Sequence, residues 1–134
     1  MSADPVRFPP EPVREVEARV LRQAGGCGGG VAVVAVDFEP RTGPAGFELV
    51  LPDDVRFRFG AAGGDEDYRQ VFGLLAAFDE GMREVLAGDG RIAVHCRAVL
   101  RRVVVHPVDS HDRAFREAGG IAARTALARV FGAS

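Results

Sequence analysis

The sequence predicts a single α+β domain, a two-layer sandwich in the order β-β-β-α-β-α with two helices on one face of a mostly antiparallel sheet. Three observations carry this expectation. Alternating and β-branched apolar runs lie on either side of a glycine-rich connection, the pattern of a hairpin. An apolar stripe at spacings of three and four runs from Val71 to Leu86, the pattern of a helix. The 134 residues, 47% hydrophobic against 27% charged, suffice for one core and are too few for two ordinary domains.

Taken in order, residues 1–13 contain Pro5, Pro9, Pro10 and Pro12, which oppose both helix and ladder, so an extended or disordered leader is expected before a domain spanning 14–131. From Arg14, Val16, Ala18 and Val20 alternate with Glu15, Glu17 and Arg19, the period of a half-buried strand. The run VAVVAVDFEP reads as a strand central in the sheet. PRTGPAG is turn chemistry, and FELVLPDDVRFRFG reads as a short strand with an irregular, partly extended return.

The first helix follows, with Asp65, Glu66 and Asp67 at its positive end and Gly88 and Gly90 as its stop. In RIAVHCRAVLRRVVVH, Val94, Cys96, Ala98 and Leu100 share one face of a long strand, and His95, Arg97, Val99 and Arg101 share the other. A second helix is expected from Ser110 to Phe131, with Asp109 as N-cap and Asp112 as its acidic partner. Gly119, Gly120, Ala122 and Ala123 give that helix a low profile, suited to close approach to a sheet.

Composition narrows the function classes. No apolar run approaches the roughly 20 residues needed to cross a bilayer, and prolines and acids occupy the start where a signal peptide has its apolar core. A cytoplasmic protein without membrane contact is expected. All 17 basic residues are arginine, as a GC-rich genome would favour, and the net charge of −2 argues against a generic nucleic-acid binder. The charge is unevenly spread: residues 91–134 hold eight arginines against Asp109, Asp112 and Glu117, a surplus of five. That half could face phosphates, or its arginines could simply solvate a strand and a helix.

No catalytic constellation emerges. The glycines of RQAGGCGGGVAVVAV precede a strand rather than a helix, and the chain has no lysine, so a phosphate-binding loop is excluded. Cys27 and Cys96 lack any paired spacing, which excludes a disulfide framework and a zinc ribbon. Residues 95 and 96 point to opposite strand faces and would not ligate one metal together. Asp109, Ser110 and His111 are adjacent at a helix start, where capping explains them better than a proton relay. No enzyme activity, cofactor or metal is expected.

Two segments carry a family resemblance. Val16 to Pro40, VEARVLRQAGGCGGGVAVVAVDFEP, resembles the strand, Arg-Gln-x-Gly-Gly-x-Gly tip loop and returning strand of domain IV of the translocation GTPase elongation factor G. Val103 to Leu127, VVVHPVDSHDRAFREAGGIAARTAL, resembles that domain's His-x-Val-Asp-Ser loop and the helix behind it. The resemblance spans about Arg14 to Phe131 and implies a ribosomal protein S5 domain 2-like fold with a left-handed βαβ crossover, a departure from the usual handedness.

The resemblance further implies two RNA-contacting tips: Arg22, Gln23, Gly25, Gly26 and Gly28 in the first, His106, Asp109 and Ser110 in the second. His106 falls where the family has its tip histidine, the diphthamide position of the archaeal and eukaryotic counterpart. Arg101 and Arg102 would add phosphate contacts. The implied partners are the small-subunit decoding region of the ribosome and transfer RNA. A freestanding copy without GTPase activity is expected, for which a separately encoded GTPase would supply the missing modules.

Departures from the family pattern leave a second expectation open. Gly29, Gly30, Val31 and Ala32 replace the polar and aromatic residues usual after the first tip, Cys27 replaces a common arginine, and GAAGGDED keeps little of the usual connection before the first helix. A repurposed scaffold that binds a protein partner or small ligand would fit these losses.

Overall fold

The computed structural model describes residues 4–22, 30–59, 65–105 and 111–132. Within these residues, six strands and two helices follow the order β1 (Val6–Phe8), β2 (Val13–Arg22), β3 (Gly30–Pro40), β4 (Gly46–Val50), β5 (Arg56–Phe59), α1 (Asp65–Ala87), β6 (Ile92–Val105) and α2 (Asp112–Phe131). The class is α+β as expected, but the sheet is mixed rather than mostly antiparallel. β6 is its hub: β3 pairs with it antiparallel, while β1, β4 and β5 pair with it in parallel.

β2 lies beyond β3 as an antiparallel neighbour. Because residues 96–99 of β6 pair with both β3 and β4, and 102–104 with both β3 and β5, β4 and β5 line the edge opposite β3 end to end. Pro52 accounts for the break between them. It cannot donate to a ladder, and the Val55 N–H closes a turn on the Pro52 carbonyl at 3.2 Å. The expected irregular return is thus a second, short strand.

The leader is in part built into the fold. Residues 6–8 pair with Ile92, Ala93 and Val94, and the Phe8 side chain is fully buried, edge-on to Phe38 with ring centroids 6.1 Å apart. The prolines around this short strand hid it, since they remove ladder donors on either side without preventing three residues from pairing.

One sheet face carries the core. Val34, Val36 and Phe38 of β3 stand opposite Val103, Leu100 and Ala98 of β6, and all six are fully buried. Val16 and Ala18 of β2, opposite Val36 and Val34, extend the layer. Helix α2 covers the β2–β3 side of this layer, and the expected stripe of α1 packs against α2 and β6, with Val71, Leu74, Leu75, Phe78, Met82 and Leu86 all buried and Val85 partly so.

The helices approach each other through glycine. A Cβ at Gly119 would lie 2.1 Å from the Phe78 carbonyl oxygen, and one at Gly81 would lie 2.0 Å from that of Arg116. The low profile of α2 therefore serves the contact with α1, as well as the sheet it was expected to meet. Small residues that remove side chains from a crossing let two backbones touch, and nothing larger than glycine fits there.

Two register shifts shape the hub. Between Val13 and Val16, two β2 residues stand against the single β3 residue Asp37. Between Leu100 and Arg102, β6 carries Arg101 as an extra residue opposite the step from Val36 to Ala35. The second bulge breaks the expected alternation: the positions of β6 with 0–1% exposure run 96, 98, 100 and then 103, 105.

Candidate nucleic-acid interface

The strands deliver the resembling segments to one end of the sheet. The β2–β3 hairpin ends where Arg22 pairs with Gly30. At the same end, Val104 of β6 pairs with Val33, and Val105 pairs with Phe59 at the end of β5. The connections 23–29, 60–64 and 106–110 therefore all depart from this end. Gln23, Gly25, Gly26, Gly28, His106, Asp109 and Ser110, together with Cys27, lie outside the described residues. Arg22 is placed as the last residue of β2.

The N-cap of α2 differs from expectation. His111 caps the helix, its Nδ1 accepting the Ala114 N–H at 3.3 Å. The helix begins at Asp112, which remains the acidic residue of its first turn. Histidine ranks below aspartate and serine as a capping residue, so sequence preference pointed two positions too early.

Arg101 and Arg102 both have acidic partners. Arg101 Nε donates to Asp37 Oδ2 at 2.9 Å, and this bond holds the guanidinium above its ordinary pKa. Arg102 Nη2 lies 3.6 Å from Glu17 Oε2, a looser pair between two side chains that are each more than 40% exposed. The two neighbours therefore differ in availability: Arg101 is held at a buried carboxylate, whereas Arg102 can exchange its partner for another anion.

Asp37 is the residue that sequence reasoning missed. Its exposure of 5% makes it the one buried charged side chain among the described residues. Oδ1 accepts the Glu15 N–H at 2.8 Å while Oδ2 takes Arg101, and Arg14 Nη1 approaches Oδ2 at 3.6 Å. Glu15 has φ = 55°, a left-handed conformation that costs a non-glycine residue on the order of 1 kcal/mol or more. Arg129 of α2 donates to the Arg14 and Glu15 carbonyls, securing the same bulge from the helix side. The available signal was a carboxylate, Asp37, set between the apolar Val36 and Phe38.

The thiol chemistry is closed at Cys96. Burial, with a smaller contribution from the Glu39 charge, pushes its pKa from 9.0 up to about 12, so the neutral thiol prevails at physiological pH. Among the described residues, no three His, Cys, Asp or Glu side chains converge as a metal site, and no helix is long and apolar enough to cross a membrane. An open groove of about 430 Å³ runs between β4 and α1, beside Leu51, 40% exposed, and Phe72, 63% exposed.

No family model matches the chain. Among solved structures, a Thermus thermophilus protein superposes with a TM-score of 0.60 at 21% sequence identity, over 90% of this chain and 16% of that one. The present chain thus spans about a sixth of the length of its structural neighbour, and the likeness is one of fold.

Proposed function

We propose that this domain is an elongation factor G domain IV-like module of ribosomal protein S5 domain 2-like type, with β5–α1–β6 as its left-handed crossover. It docks its tip on ribosomal or transfer RNA near the decoding site, in the cytoplasm, and has no GTPase activity of its own. The observation that carries this reading is positional: the RQAGG and HPVDS segments, 80 residues apart in sequence, are joined to strand ends at the same end of one sheet. Two loops brought to one end can meet one RNA surface together.

The charge pattern supports the same reading, since Arg102 at that end is only loosely paired. Co-sedimentation with small ribosomal subunits at about 50 and 200 mM salt tests it. The expected result is binding at the lower salt that falls at the higher, and that His106→Ala combined with Arg102→Gln abolishes. Protein found only in the soluble fraction at the lower salt would overturn the proposal. The second reading, a scaffold for a protein partner, draws on the exposure of Phe72 and Leu51 beside the β4–α1 groove.

A further inference from the structure

The outer sheet face, opposite the helices, divides its charges unevenly along the strands. In the half remote from the tip, four arginines meet three carboxylates: Arg14 reaches Asp37 and Glu39, Arg101 reaches Asp37, and Arg97 and Arg41 share Glu48. In the half beside the tip, one acid serves two arginines. Glu17 lies 3.2 Å from Arg19 and 3.6 Å from Arg102. Arg56, exposed and next to Arg102 across the β5–β6 ladder, has no carboxylate partner among the described residues.

Register aligns these groups. Glu17, Ala35, Arg102 and Arg56 form one row across β2, β3, β6 and β5, and Arg19 stands opposite Val33 in the next row toward the tip. Four adjacent strands span roughly 14 Å. Only Ala35, Val33 and Val104 lie between the charged positions, and none of them obstructs a chain laid along the strip. Among the described side chains of these two rows, three guanidinium groups stand against the single carboxylate of Glu17, in a protein whose net charge is −2.

We infer that the tip-proximal half of this open face, through Arg19, Arg56 and Arg102, binds the phosphate backbone of an RNA strand. The inference rests on the proposed docking of the module on RNA and extends the contact from the tip onto the sheet. Guanidinium groups pair with phosphate through two parallel N–H bonds, and each needs only a weak, solvated partner to be displaced. Glu17 is such a partner: it is 41% exposed and already divided between two arginines. Arg101, bonded to buried Asp37, takes no part.

Fluorescence anisotropy with a labelled single-stranded RNA of about 16 nucleotides tests the inference. The wild-type chain is compared with the triple variant Arg19→Gln, Arg56→Gln, Arg102→Gln, whose melting temperature is measured in parallel. The expected result is a roughly tenfold loss of affinity at about 50 mM salt, and a slope of log affinity against log salt shallower by about 2, since each neutralised phosphate contributes about 0.7. No binding by the wild-type chain, or an unchanged slope in the folded variant, would overturn the inference. Displacement of the RNA by polyglutamate at equal charge concentration would also overturn it, because the face would then read acidic chains in general. Arginine-dependent RNA binding without small-subunit binding would leave the inference standing and remove the docking proposal instead.

Discussion

Arg101 donates its Nε–H to the Asp37 carboxylate at 2.9 Å, and the two residues mark bulges on the opposite sides of β3. One carboxylate thereby fixes two irregularities. Its Oδ1 holds the β2 bulge through the Glu15 N–H, and its Oδ2 holds the β6 bulge through Arg101. Without this carboxylate the Glu15 N–H would lose its acceptor at the β2 bulge, and Arg101 would lose the anchor that holds it over the β6 bulge.

Substitution should expose this dependence. Asp37→Asn replaces a charged acceptor facing a guanidinium and is expected to cost about 2 kcal/mol of unfolding free energy, measured by urea titration. Arg101→Met should cost about as much, the loss being moderated because the Arg101 side chain is 40% exposed. In the double variant the losses should fall short of additivity by about 1 kcal/mol or more. Arg102→Gln, by contrast, should remain within about 0.5 kcal/mol of wild type.

The helix crossing offers a second, independent test. Gly119→Ala and Gly81→Ala each place a methyl group within 2.1 Å of a backbone carbonyl oxygen on the other helix. Backbone atoms cannot rotate away as side chains do, so each variant should lose at least about 2 kcal/mol by thermal or chemical denaturation. Gly73→Ala on exposed α1 surface, with no atom within 4 Å of the new methyl, should be neutral or stabilising.

Cys96 makes a pH-dependent prediction with a defined sign. Its folded pKa of about 12 exceeds the ordinary 9.0, so the folded state retains a proton that the unfolded state has released. The corresponding stability is fully present below about pH 9 and is lost as pH rises toward 12. In a Cys27→Ser background, an aromatic disulfide reagent at pH 8 should label Cys96 only through the unfolded state, and denaturant should accelerate labelling in proportion to the unfolded fraction. Immediate labelling in native buffer would contradict the buried placement.

Much of this architecture was legible where burial follows a simple period. The α1 stripe from Val71 to Leu86 and the alternation of Val16, Ala18 and Val20 emerge as core because tertiary packing and local pattern agree. Legibility failed at residues whose structural role depends on distant partners. Arg101 breaks the β6 alternation only because β3 leaves it unpaired, and Phe8 is core only because Phe38 and β6 receive it. The parallel pairing of β4 and β5 likewise depends on the chain crossing to the far edge of β6, which no local pattern encodes.

The candidate interface divided in the same way. Motif positions such as Gln23 and His106 rest on resemblance, and the strands fix only where their segments begin and end. Arg101 and Arg102 are neighbours in sequence, yet the bulge and Asp37 give them different surroundings. Arg19 and Arg56 carry no local signal, because their relation to Arg102 exists only across the β2–β3–β6–β5 register.

The docking claim meets its most direct test in chemical probing of small-subunit ribosomal RNA with and without saturating protein. Protection confined to the decoding region, weakened by His106→Ala and by the Arg19, Arg56 and Arg102 triple variant but kept in Gly73→Ala, is the predicted result. An unchanged reactivity pattern at saturating protein, or protection remote from the decoding region, would contradict the account.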